Sequence, residues 1–60
     1  MSTTYTFQAI EVEPGMTIMW DDETHLVTDI TYTEVWCEFH SPTKTEAMRA
    51  MDRALIEVRL

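Results

Sequence analysis

Ser41-Pro42-Thr43-Lys44-Thr45-Glu46-Ala47-Met48-Arg49-Ala50-Met51-Asp52-Arg53-Ala54-Leu55 can be read in two ways, and the choice between them decides the fold. In the first, Ser41 caps a helix with Pro42 at its first position, and Thr43 with Glu46 also fits a capping box. Ala47, Met48, Met51 and Leu55 then share one apolar stripe on a helix at about 43–54. In the second, Ser41-Pro42-Thr43 is a loop, Lys44 to Arg49 pairs back onto the preceding segment, and a single helical turn covers Met51 to Ala54. Propensity favours the helix; the strand-rich surroundings favour the hairpin.

Those surroundings are read from period-two alternation. Thr33 to His40 places Val35, Cys37 and Phe39 on one face and Glu34, Trp36, Glu38 and His40 on the other, which leaves Trp36 among polar side chains. His25 to Tyr32 alternates Leu26, Thr28, Ile30 and Tyr32 against Val27, Asp29 and Thr31. With the β-branched and aromatic run Thr17 to Trp20 and the polar connector Asp21-Asp22-Glu23-Thr24, it forms an expected hairpin. Glu13-Pro14-Gly15-Met16 is the strongest turn signal, because Pro presets φ at the second position of a type II turn and Gly accepts the positive φ of the third. Before it, Tyr5, Phe7 and Ala9 alternate with Thr4, Thr6 and Gln8, and Ile10 and Val12 take the opposite phase, as a strand with a bulge near Ala9 would. At the other end, Ile56-Glu57-Val58-Arg59-Leu60 alternates again and needs a partner strand. The expected fold is therefore mainly β, a small antiparallel barrel of about five strands with a short helix or helical turn before the last strand. The alternative is α+β with one helix at about 43–54.

The layout Ile10-Glu-Val-Glu-Pro-Gly-Met16, Ile18, Val27 to Ile30, Val35 and terminal Ile56-Glu-Val58 resembles the small SH3-like barrel proteins encoded by actinobacteriophages. The resemblance spans most of the chain through motifs that many small barrels share. It implies an SH3-like barrel, a phage gene and action in the host cytoplasm; it carries no catalytic or binding motif onto residues here, since that family mostly has no assigned function. The chain departs from the pattern at Lys44 to Ala54.

Sixty residues allow one domain, and such a chain buries only about 60% of the surface its unfolded form exposes. Apolar residues at 45% and charged ones at 25% place it among globular domains rather than disordered chains. With Cys37 alone, an intramolecular disulfide and a thiolate zinc site within one chain are excluded, which favours a reducing compartment. No segment has signal-peptide or bilayer-spanning character, so the expected location is the cytoplasm, without a membrane partner. The net charge of −7 is unevenly laid out: residues 1 to 43 carry eight of the eleven carboxylates and no Lys or Arg, and Lys44, Arg49, Arg53 and Arg59 all fall in the last seventeen positions. A field of that sign disfavours direct nucleic-acid binding, which rests on Lys and Arg displacing counterions.

Trp20-Asp21-Asp22-Glu23-Thr24-His25 gathers oxygen ligands of the kind hard cations prefer, but lacks the ligand spacing, glycine and distal glutamate of a calcium loop, and a solvated hairpin loop accounts for the same residues. Cys37 and His40, three apart on a strand, point to opposite faces, so the imidazole cannot activate the thiol. Neither an oxyanion donor cluster nor a phosphate loop can be assembled. The expectation is a non-enzymatic protein with no catalytic residues, no metal and no cofactor. Trp36, His40, Tyr32 and Trp20 are the aromatic groups expected at the surface, where Trp and Tyr are enriched in interfaces; packing over an open barrel end is the plainer use. The expected function is an accessory protein-binding domain whose acidic β surface, with Trp36, Glu34, Glu38, His40, Asp21, Asp22 and Glu23, contacts a basic or nucleic-acid-binding protein. Two alternatives stand beside it. One is a structural or assembly subunit that self-associates through strand edges. The other is a DNA-mimic inhibitor, in which carboxylates spaced at about 3.3 Å per strand residue stand in for phosphates.

Overall fold

The computed structural model describes residues 3–60 and is mainly β, as expected. Seven strands run in chain order β1 (Thr4–Gln8), β2 (Thr17–Trp20), β3 (Glu23–Leu26), β4 (Asp29–Thr33), β5 (Trp36–Ser41), β6 (Lys44–Met51) and β7 (Leu55–Arg59). They form two antiparallel sheets, β1-β7-β2-β3 and β4-β5-β6, rather than one closed barrel. Between the sheets lies one core of Ala9, Val12, Ile18, Val27, Cys37, Phe39, Met48, Ala50, Ile56 and Val58.

The hairpin reading of Ser41 to Leu55 holds, and the helix at 43–54 does not form. From Ala47 onward the segment buries Met48 and Ala50 and exposes Arg49 and Met51, a period of two that the helical stripe cannot produce. Paired burial on β5, Cys37 beside Ala50 and Phe39 beside Met48, overrides the local helix propensity. The ladder slips between Phe39 and Ser41, so Lys44 meets Ser41 across the Pro42-Thr43 turn. The helical turn expected at Met51 to Ala54 does not form: Met51 still belongs to β6, and Asp52 and Arg53 reverse the chain in a simple turn closed by the Ala54 N–H donating to the Met51 carbonyl at 2.9 Å.

Elsewhere several expected boundaries move. The hairpin after Trp20 is tighter than a four-residue connector: Asp21 and Asp22 alone turn the chain, with φ of 51° and 65°, while Glu23 and Thr24 already belong to β3. Two central residues of positive φ match the right-handed twist of the strands they join. The segment His25 to Tyr32 is two strands, because the chain crosses from one sheet to the other at Val27 and Thr28. Val27 donates to the Met16 carbonyl at 2.9 Å and Thr28 to the His40 carbonyl at 2.8 Å. Thr33 to His40 is likewise interrupted by the Glu34-Val35 turn, and Val35 is 52% exposed rather than sharing the buried face of Cys37 and Phe39. The phase change near Ala9 is a 3₁₀ turn, Ala9–Glu11, rather than a bulge. Its three-residue repeat places both Ala9 and Val12 in the core.

Two expected features stand where the alternation put them. Gly15 has φ of +98° in the Pro-Gly turn, and Met16 donates back to the Glu13 carbonyl at 3.2 Å. The last strand finds two partners, β1 and β2, and so lies inside its sheet. It offers no free edge at Thr17 and Ile18, and the sheet edges are β1, β3, β4 and β6. Among the described residues no helix is long and apolar enough to cross a membrane.

Candidate functional site

The residues expected to contact a partner fall on two sheets. On β5, alternation turns Cys37 and Phe39 inward and leaves Trp36, Glu38 and His40 half-buried on the outer face. Their neighbours across the ladder are fixed by register: Trp36 lies opposite Thr33 and Met51, Glu38 opposite Thr31 and Arg49, His40 opposite Asp29. The Arg49 guanidinium sits 4.2 Å from the centre of the Trp36 ring, a cation–π contact across neighbouring strands. His40 is held by a 2.9 Å hydrogen bond between its Nε2 and the Thr31 hydroxyl. Glu34 occupies the exposed turn at one end of this face.

Asp21, Asp22 and Glu23 stand at the tip of the β2–β3 hairpin, in the other sheet, and all three are exposed. Two depressions flank Trp20 there. One is a cleft of about 540 Å³ between Trp20, Asp21, Asp22 and the Leu55–Glu57 stretch of β7. The other is a groove of about 470 Å³ where His25, Glu23, Lys44 and Glu46 meet. A third cavity of about 580 Å³ opens at the far end of the second sheet over Val35, Met51, Arg53 and Ala54, and its lining is chiefly apolar.

The structure also contains polar contacts that sequence reasoning missed. His25 is buried, and its Nδ1 lies 2.8 Å from the Thr43 hydroxyl, which is itself 3.0 Å from the Ser41 hydroxyl. This small network ties the β2–β3 hairpin to the β5–β6 turn across the two sheets. No local signal could have revealed it, since eighteen positions separate the partners.

Cys37 is buried, and its thiol donates to Asp52 Oδ1 at 3.3 Å. Burial first, then the hydrogen bond and negative charge of Asp52, push its pKa from 9.0 up to about 11, so the nucleophilic thiolate is disfavoured at neutral pH. His40 stands on the opposite face of the same strand, as the spacing required. Among the described residues no three of His, Cys, Asp and Glu are grouped so as to hold a metal ion. The carboxylates around Asp21 project from a turn, and His25 is engaged with Thr43 rather than with them.

The chain matches no protein-family model, no curated protein and no solved structure.

Proposed function

We propose that this is a non-enzymatic accessory domain, phage-encoded and acting in the host cytoplasm, that binds a partner protein through its acidic β surface. The observation that carries the reading is the outer face of β5, where a half-buried tryptophan is presented beside Glu38 and His40 instead of being spent in the core. Tryptophan contributes a large, rigid contact area to interfaces, and flanking carboxylates select for a partner of positive charge. The masked reactivity of Cys37 and its separation from His40 support a binding role over nucleophilic catalysis. The phage origin and the SH3-like kinship rest on the resemblance of the Pro-Gly turn and the terminal Ile56-Glu57-Val58 strand.

A second reading, self-assembly through strand edges, draws on β4. It is an edge strand, Asp29-Ile30-Thr31-Tyr32-Thr33, and Tyr32 is 56% exposed. The test that separates the two is an affinity capture from a nuclease-treated actinobacterial lysate at low and high salt, with Trp36→Ala alongside. Capture of one host protein at low salt, lost with Trp36→Ala and lost at high salt, supports the acidic surface. An empty capture from a protein that is a stable oligomer in solution overturns it in favour of assembly.

A further inference from the structure

Among the described residues the two sheets end in four strands, β1, β3, β4 and β6. β3 carries Glu23, β4 carries Asp29, and β6 carries Lys44, Glu46 and Arg49, charges of the kind that discourage an edge from pairing with another chain. β1, Thr4-Tyr5-Thr6-Phe7-Gln8, carries none. Residues 3–10 hold no charged side chain, proline or glycine, in a protein of net charge −7. Alternating threonine and aromatic residues make this the most strongly β-forming of the four edges and the one least protected against pairing.

The main chain of β1 has one side to spare. The Thr3 carbonyl accepts from the Leu60 N–H at 3.1 Å and Ala9 donates to the Ala54 carbonyl at 2.8 Å, both in the register that sets Tyr5 beside Val58 and Phe7 beside Ile56. Antiparallel bonds recur at every second residue, so the odd positions face β7, and Thr4, Thr6 and Gln8 turn their N–H and C=O groups away from it. The Gln8 N–H accordingly donates to Glu11 Oε1 at 2.8 Å. Among the described residues no main-chain partner meets Thr4 or Thr6 on that side. On the core face Tyr5, beside the buried Val58, is still 45% exposed, with its ring 6.2 Å from that of Phe7. The inner face of the sheet is therefore uncovered along this edge.

We propose that β1 pairs with β1 of a second copy of this chain, antiparallel about a two-fold axis at Thr6, so that the four-stranded sheets of two molecules run on as one. In that register Thr6 faces Thr6, Thr4 faces Gln8 and Tyr5 faces Phe7. Each pair joins positions of the same parity, so the main-chain groups turned away from β7 in one copy meet those turned away from β7 in the other. The Tyr5–Phe7 pairs bring the aromatic rings of both copies together on the core side. A second copy suits the edge because it is self-complementary and because two acidic molecules meet here with little repulsion. Asp21, Asp22 and Glu23 lie at the β2–β3 hairpin, and β3 is three strand spacings, about 14 Å, from β1, beyond the screening length in physiological salt. The proposal rests on the strand-edge reading, names β1 as the edge used, and leaves the acidic surface open to a partner.

The test combines sedimentation equilibrium with amide hydrogen exchange on the wild-type protein from about 0.02 to about 1 mM, a range suited to so short a contact. A dimer is expected, with exchange at the Thr4 and Thr6 amides slowing as concentration rises, and slowing more than at Tyr5 and Phe7, which are bonded to β7 at every concentration. Thr6→Glu and Thr6→Lys, at an exposed position, each set like charges face to face across the axis and should weaken association about fivefold or more. Mixed in equal amounts they set opposite charges there, and association should return to within about threefold of wild type. If either variant fails to fold, the exchange pattern of the wild-type protein carries the test. A dimer that forms as well in both variants, or that leaves exchange at Thr6 unchanged, uses another edge: it overturns the pairing at β1 and keeps the strand-edge reading. A loss in two folded variants that mixing does not restore overturns the two-fold register, and a monomer throughout the range counts against both the pairing and the strand-edge reading.

Discussion

Trp36 and Trp20 stand one on each sheet, both half-buried, in opposite electrostatic company. Trp36 is roofed by Arg49, a cation the chain brings to it from the neighbouring strand. Trp20 borders a cleft walled by Asp21, Asp22 and Glu57, and Lys44 lies only on its far side. The contrast shows that a net charge of −7 says less about binding than the positions of the four cations do. Where Arg49 lies, part of the acidic face is already compensated within the molecule, whereas among the described residues no Lys or Arg lines the cleft beside Trp20.

The comparison holds only if both tryptophans belong to one cooperative unit, and the largest predicted effect tests that. Phe39 is fully buried between the sheets, so Phe39→Ala should cost about 3–5 kcal/mol, enough to unfold a domain of this size. In single-tryptophan versions, Trp20 and Trp36 should report the same denaturation midpoint; two midpoints would mean that the sheets unfold separately. Gly15→Ala should cost about 1–2 kcal/mol, measured by urea titration. The added methyl group meets nothing within 4 Å, so the cost comes from the φ of +98° alone.

Two smaller changes sharpen the contrast directly. Arg49→Gln should cost about 0.5–1 kcal/mol and shift Trp36 emission to the red while leaving Trp20 unaltered. The double variant D21N/D22G should instead stabilise the hairpin by about 0.4–1 kcal/mol, because Asn-Gly suits a turn with φ of 51° and 65° better than two aspartates do. If it also weakens binding of a basic partner, the aspartates are retained at that turn for their charge. At neutral pH the smallest effect belongs to Cys37, whose thiol should resist modification in the native state. Its folded pKa is raised from 9.0 to about 11, so its contribution to stability is complete below pH 9 and is lost as pH rises through 11. Denaturation midpoints measured between those values should fall, and fall less in Cys37→Ala.

Much of this architecture was legible because burial imposes a period of two. The alternation of β5 correctly separated Cys37 and Phe39 from Trp36, Glu38 and His40, and Pro14-Gly15 marked its turn. The segment 44–51 was ambiguous because its first three residues line no core, so the strand period appears only from Ala47 on. His25 and Val27 face inward while Leu26 is 46% exposed, yet Ile30 is the partly buried residue beyond the crossover. That reversal follows from the chain changing sheets at Val27 and Thr28, which alternation alone cannot signal. The Arg49–Trp36 contact needs the β5–β6 register with its slip, and the cleft needs β2 to part from β7, some thirty-five positions away in the chain. Both are products of long-range pairing.

In the proposed reading, carboxylates on the β surface carry the contact with a partner protein. Its most direct measurement is the affinity of the captured partner by calorimetry between about 0.05 and about 0.5 M sodium chloride, a range over which the screening length shrinks severalfold. A loss of at least about tenfold across that range is expected; an affinity constant to within about twofold would rule out a contact made by carboxylates.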